Sequence, residues 1–552
     1  EIRETLEKSK DATITEILMP GYRRKLPNDG YQVIIEAKVA ILVYKKKWLI
    51  HLKYLGETKM ASFIGIDLGT TYSLVSYLDE TGRPQIIRND EGHSLIPSCI
   101  EINDNEILVG EEARKGFGWN PKVLARFKRD MGDSVTYKVG EKEFTPTQCS
   151  TFILTKLLKM AKNTIDKVGE AVVTIPAHFK DVEREETIKA AKNAKLKINR
   201  IVNEPTAAAL YYVFKNGGKL NGIFAVFDLG GGTFDISIIK VVNRDVVVLA
   251  SEGIKKLGGD DFDTVLQNMV QKKYKDLTGE DLDIQRIYTK TNAEDDKKSL
   301  TKRERVNVRV EKTNMELTRV EFEKEIKSLL HQTKMSCEIA IEAAGLRLED
   351  IKDVLMVGGS TRVPSVKEMV KEIFKKEPVT TVNVDEAVCL GASLFSAMKG
   401  DSEDLTPVQK ASIQNISVSD VSVGYFGTIA TDANTGKEFN SILISKNQKI
   451  PCTVTKTYYT SHDNQTKVDC RITQSSTETE VLDEWTNIIS NEELSLPSGR
   501  RRGQEIDVTF AYDENGTMHS SFIDVQTGKE TYIKKDDLNP DVDDDSDDYN
   551  VD

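Results

Sequence analysis

Histidine and cysteine are scarce in this chain of 552 residues, with six of each. The cysteines (Cys99, Cys149, Cys337, Cys389, Cys452 and Cys470) are widely spaced and form no CxxC pair. That excludes a disulfide framework and predicts reduced thiols in a cytoplasmic protein. The histidines are equally dispersed, so no zinc site is legible. No apolar run reaches the roughly 20 residues that a bilayer-spanning helix needs. The apolar segment Val33–Val43 is broken by Glu36 and Lys38 and reads as a strand. The opening residues are charged, so no secretory signal is expected. Positive charge is not in excess either: 76 Lys and Arg against 88 Asp and Glu give a net charge of −12. Non-specific nucleic-acid binding, which needs concentrated cations, is therefore excluded. The phosphate loop GxxxxGK[ST] is also absent.

What is present is a globular composition, 39% hydrophobic and 30% charged, in a chain long enough for three or four domains. A β-leaning stretch with a turn at Pro20-Gly21 precedes Met60. From Phe63-Ile64-Gly65-Ile66 to about Met398, apolar strands alternate with helical stretches. Ala171–Ile175 and Ile223–Phe227 read as buried strands, and Asp181–Ala194 and Val363–Phe374 have helical spacing. This alternation predicts α/β layers. Residues 401–419 are polar and suit a linker. From Val421 to Ile533, Thr, Val, Ile and Tyr dominate, with turns at Asn434-Thr435-Gly436, Asp463-Asn464 and Asp513-Glu514-Asn515-Gly516. That pattern predicts an antiparallel β domain. The aspartate run over 534–552 predicts a disordered, solvated tail.

One internal repeat carries chemistry. Ile64-Gly65-Ile66-Asp67-Leu68-Gly69-Thr70-Thr71 parallels Ala225-Val226-Phe227-Asp228-Leu229-Gly230-Gly231-Gly232-Thr233. Each is an apolar strand, an aspartate, then a glycine turn with hydroxyls. Two copies suggest two similar lobes facing each other. A glycine turn lets backbone N–H groups approach phosphate oxygens closely. A strand-end carboxylate would repel phosphate, so Asp67 and Asp228 suit a hydrated Mg²⁺ that bridges phosphate oxygens. Asp235 could join the metal's water shell or orient an attacking water. A third turn, Gly358-Gly359-Ser360-Thr361-Arg362, follows strand Val354–Val357 and reads as a platform for adenosine, with Arg362 able to stack on the base.

Together these turns resemble the two phosphate motifs and the adenosine motif of the heat-shock protein 70 (DnaK-type) chaperone family. The segments Val173-Thr174-Ile175-Pro176-Ala177-His178-Phe179, Ile201–Ala209, Leu257-Gly258-Gly259-Asp260-Asp261-Phe262-Asp263 and Asp385-Glu386-Ala387-Val388 agree in order and spacing. The resemblance is dense over about 62–400, and the region around 264–320 is short, as in divergent bacterial members. It implies a two-lobed actin-like ATPase domain over 60–400, a linker over 401–419 and a β-sandwich substrate-binding domain over 420–533. It further implies ATP/ADP, Mg²⁺ and K⁺ as ligands. Lys128 would reach the γ-phosphate and position the nucleophilic water. Glu204 would couple the water network to the domain interface. Catalysis would fall to Lys128, Glu204, Asp228, Thr233, Asp235 and Asp67. Nucleotide would lie on Gly69, Thr70, Thr71, Tyr72, Gly230, Gly231, Gly232, Gly258, Gly259, Glu294, Lys297, Lys298, Thr301, Gly358, Gly359, Ser360, Arg362 and Asp385. Lys298 stands where the family has arginine, which predicts looser nucleotide binding.

The β region resembles the family's peptide-binding domain, with Tyr458, Ser461 and Val468 at the pocket and a contribution from the loop near Tyr425–Ile429. A Met-Gly-Gly stretch typical of the family is absent. The apolar family linker is replaced by the polar Ser412–Ser417, which predicts weak coupling. With the sequence ending soon after Lys535, no helical lid is expected, and peptide should exchange fast. Implied partners are unfolded or extended polypeptides, a J-domain co-chaperone and a nucleotide exchange factor. Residues 1–59 resemble the β region of such an exchange factor. A sugar kinase or a filament-forming ATPase of the actin-like superfamily remain as alternatives.

Overall fold

The structure, a computed structural model, describes residues 62–104, 106–379, 382–475, 477–482, 486–513, 518–534 and 549–552. It also describes a backbone pairing of Arg24–Lys25 with Tyr31–Gln32. The rest of the 1–59 extension, the tip of the Asp513–Gly516 turn and residues 535–548 of the acidic stretch lie outside the described residues.

The chain is mixed α/β with several sheets. The internal repeat is built twice as the same unit. In the first sheet, Ser62–Asp67 pairs antiparallel with Tyr72–Leu78 and parallel with Val168–Ile175. In the second, Gly222–Leu229 pairs antiparallel with Phe234–Val242 and parallel with Ile351–Val357. A parallel partner requires a crossover, and helices Pro146–Thr164 and Lys327–Ala343 lie on the two crossovers. The central strands are buried on both faces, and so their sequences are continuously apolar rather than alternating.

Helices Glu204–Lys215 and Ala387–Lys399 share one core with strands of both sheets, including Phe63, Val172, Phe224 and Leu355. Here backbones nearly touch. A Cβ on Gly391 would lie 1.8 Å from the Ala207 carbonyl oxygen, and one on Gly65 2.1 Å from the Ser393 nitrogen. Only glycine allows that approach.

From Tyr425 onward the chain forms two four-stranded antiparallel sheets. One contains Glu438–Ile444, Tyr425–Thr431, Lys467–Ser475 and Thr486–Ser495. The other contains Cys452–Tyr459, Glu505–Tyr512, Met518–Asp524 and Lys529–Lys534. Alternate residues of Glu505–Tyr512 are buried, as period-2 patterning requires. Both sheets contribute to one core around Phe426, Ile472, Leu494, Phe510 and Phe522.

Two expectations need correction. Residues 401–419 are not merely an unpatterned linker. Pro407–Ile413 is a helix opened by a Thr406/Gln409 capping box with Pro407 at its first position. Ser417–Ser419 then adds a parallel strand to Asp245–Val247 of the second sheet. The tail is also not solvated throughout. Asn550–Val551 pairs parallel with Glu106–Ile107 of a small sheet whose other strands are Cys99–Asn103 and Val123–Ala125.

Candidate functional site

The strand ends of both repeats point into one cleft of about 660 Å³. The two glycine turns press directly on each other. A Cβ on Gly231 would meet the Thr71 Oγ1 at 1.9 Å, and one on Gly232 would meet Thr70 at 2.6 Å. The third turn abuts the second: Gly358 has φ +84 and no room for a Cβ beside Leu229, and the Ser360 hydroxyl donates to the Gly230 carbonyl at 2.7 Å. Asp67, Gly69, Thr70, Thr71, Tyr72, Lys128, Glu204, Asp228, Gly230, Gly231, Thr233, Glu294, Lys297, Lys298, Thr301, Gly358, Gly359, Ser360, Arg362 and Asp385 all line this cleft.

Gly232, Gly258, Gly259 and Asp235 stand just behind the wall. Gly258 packs on Gly231, and the Gly259 amide donates to the Gly230 carbonyl at 3.0 Å. Asp235 accepts from the His178 amide at 3.2 Å and faces the His178 Nδ1 at 2.9 Å. Arg88, His93, Glu111 and Lys302 also line the cleft. They belong to none of the three strand-end glycine turns of the cleft, so the repeat does not mark them.

A cluster of buried and half-buried charged groups sits at the cleft floor. Lys128 lies on a one-turn helix, Phe127–Asp130, entered through Arg126 at φ 67. That left-handed residue re-aims the chain so that Lys128 is buried and donates to Glu204 at 2.7 Å. Asp67 accepts from the Thr174 hydroxyl at 3.1 Å. Burial, then the nearby Glu204 carboxylate, pushes Asp67 up to about 7. Burial, followed by Glu204, Asp235 and Asp67, drives Asp228 well above the ordinary carboxylate range. Burial likewise raises Glu204 against the opposing pull of Lys128. Asp67, Glu204, Asp228 and Asp235 thus crowd around Lys128, an arrangement deficient in positive charge.

A charge network spans the cleft. Tyr72 donates to Glu294 at 3.0 Å, and Lys298 donates to Tyr72 at 2.8 Å while lying over its ring. Asp260 accepts from Arg126 at 2.8 Å and Arg129 at 2.7 Å, and pairs with Lys290 at 3.1 Å. Burial would raise Asp260, but Arg126 and Lys290 outweigh it and hold it at about 2. Arg126 and Arg129 come from the first half and Asp260 from the second, so this carboxylate bridges the two halves. Asp260→Ala is expected to speed ADP release about ten-fold, the equivalent of roughly 1.4 kcal/mol lost from a partly buried network. Stopped-flow release of a fluorescent ADP analogue measures it.

Tyr458, Ser461 and Val468 lie apart from the cleft. Tyr458 and Val468 pack against the β-region core from its two different sheets, and Tyr458 donates to the Ser441 hydroxyl at 2.8 Å. Ser461 is exposed in the connection between them.

A second polar centre was missed by sequence reasoning. The Asp420 carboxylate, just past strand Ser417–Ser419, accepts from Asn203 Nδ2 at 2.9 Å and Thr206 Oγ1 at 3.0 Å. Arg184 in turn donates to Asn203 Oδ1 at 2.9 Å. Asn203 and Thr206 flank Glu204 at the start of one helix, so the carboxylate paired with Lys128 and the anchor of the following β region share one turn of backbone. Lys446 to Glu252 at 2.5 Å adds a further contact between the second sheet and the β region.

The sequence profile of the family described as Hsp70 protein matches residues 63–549. The chain is also similar to the chaperone protein DnaK of Thermotoga neapolitana, 36% identical over 486 residues, covering 85% of this chain and 79% of that protein. Matched across most of its length and built around this cleft, the chain belongs to the Hsp70 family.

Proposed function

We propose that the Lys128–Glu204 pair and the two facing glycine turns hydrolyse ATP and that Asp420 passes the nucleotide state to the β region. Membership of the family makes the protein a nucleotide-binding ATPase and an ATP-dependent chaperone that assists protein folding. As such it binds unfolded polypeptides and works with co-chaperones; a J-domain protein and a nucleotide exchange factor are the partners we assign. We assign residues 60–400 to a two-lobed actin-like ATPase domain and 420–533 to a β-sandwich that holds extended peptide near Tyr458, Ser461 and Val468. A reducing cytoplasm suits the buried free thiols of Cys99, Cys149, Cys337 and Cys389.

The donor set fits magnesium held through water. Among the described residues, no three acidic, His or Cys side chains converge closely enough to cage a bare ion. Yet Asp67, half-buried, and Asp228, buried, stand at the turns with too little positive charge nearby, which suits a hydrated cation. When bound, Mg²⁺ would neutralise charge on the phosphates; K⁺ would add to that. The chain's own residues do the remainder. The turn amides and Thr70, Thr71 and Thr233 hold phosphate oxygens. Asp235 orients a water, and Lys128 steadies both that water and the charge developing on the transferred group. The buried pairing of Lys128 with Glu204 carries this reading.

Single-turnover ATP hydrolysis with and without an unfolded peptide tests it. Peptide is expected to raise the rate severalfold. A rate that responds to a sugar instead would contradict it.

Proton linkage gives a second check. A cation needs Asp67 ionised, so Mg-dependent ADP affinity should fall about ten-fold per pH unit below about 7. For the nucleotide-free protein the sign is opposite. A raised folded value favours the protonated native state, so this contribution is fully present below 3.8 and lost as pH rises through about 7. Calorimetric titrations and thermal melts between pH 5.5 and 8, the range spanning that value, separate the two.

A further inference from the structure

Residues 549–552 form a short amphipathic segment centred on the two-residue strand Asn550–Val551. Tyr549 and Val551 face inward while Asn550 and Asp552 are exposed, the alternation expected of a strand laid on a sheet edge. Asn550 and Val551 register with Glu106 and Ile107. The Asp552 amide donates to the Ile107 carbonyl at 3.0 Å, and the Val109 amide donates to the Asp552 carbonyl at 3.3 Å. Edge strand Glu106–Val109 therefore gains a partner for groups that a bare edge leaves unpaired.

Side chains add selectivity to this backbone pairing. The Tyr549 ring sits edge-on to Phe152 at 5.6 Å and to Phe144 at 6.1 Å. Lys142 lies over that ring at 4.7 Å and donates to its hydroxyl at 3.0 Å. Val551 is 9% exposed and belongs to the same apolar cluster as Ile107, Phe127 and Phe152. Lys159 donates to the Val551 carbonyl at 3.4 Å and pairs with the Asp552 carboxylate at 3.3 Å. An aromatic slot, an aliphatic slot two residues on and two flanking lysines together select an acidic strand of the form Tyr-X-Val-Asp.

We propose that the edge Glu106–Val109, with Phe144, Phe152, Lys142 and Lys159, is a strand-addition site for an acidic peptide, and that residues 549–552 of the same chain occupy it. The span 535–548 is 14 residues long. It reaches at most about 50 Å when fully extended. The strand joins the small sheet of Cys99–Asn103, Glu106–Val109 and Val123–Ala125, whose Ile100, Ile102 and Ile107 share one core with Ile64 and Ile66 of the Asp67 strand. Aspartates over 536–548 are opposite in sign to the two lysines and favour rebinding after release. The site is separate from the nucleotide cleft and from the peptide positions in the β region.

The test compares the full chain with a Tyr549→Ser/Val551→Ser double variant. Both substitutions lie outside the catalytic machinery, and unchanged ADP binding confirms that the variant is folded. Hydrogen exchange at the Val109 amide is expected to be at least ten-fold faster in the variant. A fluorescent peptide of residues 545–552 should bind the variant, not the full chain, and lose binding when Lys142→Glu and Lys159→Glu are added. A peptide with serine for its tyrosine and valine serves as the control. Equal Val109 exchange in the two proteins, or no peptide binding to the variant, overturns the proposal. Val109 protection that rises with protein concentration places a second copy's strand in the site and overturns occupancy within one chain.

Discussion

Lys128→Ala is expected to slow single-turnover ATP hydrolysis by at least a thousand-fold while the protein stays folded. The loss has two physical parts. Lys128 is the buried cation paired with Glu204 at the cleft floor, and its charge opposes the charge developing on the transferred phosphoryl group. Removing a single preorganised donor of this kind costs about 10²–10³ in rate. Lys128 also lowers Asp67 and Asp228, which burial pushes up. Without it both carboxylates rise further, and the pH at which Mg-dependent ADP binding weakens should move upward. A neutral variant that merely unfolded would show neither a retained melt nor a shifted pH profile. Quench-flow with radiolabelled ATP gives the rate, and titration across pH gives the shift. Stability should fall only modestly, because Glu204, already raised by burial, escapes an unpaired charge by taking a proton.

Asp420→Ala should abolish communication between nucleotide and peptide while leaving basal hydrolysis within about three-fold. Coupling energies between sites are about 1–3 kcal/mol. A carboxylate that accepts hydrogen bonds from Asn203 and Thr206 and from the Val421 amide contributes on the same scale, about 1.5–3 kcal/mol for a charged hydrogen bond. One substitution therefore removes most of what is available. ATP should accelerate peptide release severalfold in the wild type and less than two-fold in the variant, measured with a fluorescent peptide. Thr206→Val should weaken the same coupling by a smaller factor, since it deletes one of those bonds.

The paired architecture was readable because the repeat is local. Asp67 and Asp228 each end an apolar strand, and the turn after each needs glycine for backbone reasons that composition reveals. The cleft positions Glu294, Lys297 and Lys298 came from family resemblance, since a charged helix face gives no hint of what lies across from it. Asp420 escaped because the family's linker is apolar and nothing in the polar Ser412–Ser417 stretch marks a carboxylate anchor just beyond it. The structure instead fastens the chain through main-chain pairing of Ser417–Ser419, which needs no leucine, and through one carboxylate whose partners lie more than 200 residues away. Tyr549–Asp552 was hidden for a similar reason. An aspartate run reads as solvated, and nothing local to Val551 announces an edge strand some 440 residues earlier. The slots for Phe63 and the Ser393 backbone beside Gly400 and Gly65 were equally invisible, since glycine in a strand or at a helix end has several uses.

Titration of ADP into the purified protein, with magnesium and with a chelator, tests the central claim most directly. Two facing turns around one cleft predict a single site, one nucleotide per chain, with affinity at least ten-fold weaker when magnesium is removed. Binding that is absent, that involves more than one equivalent nucleotide, or that ignores magnesium would contradict it.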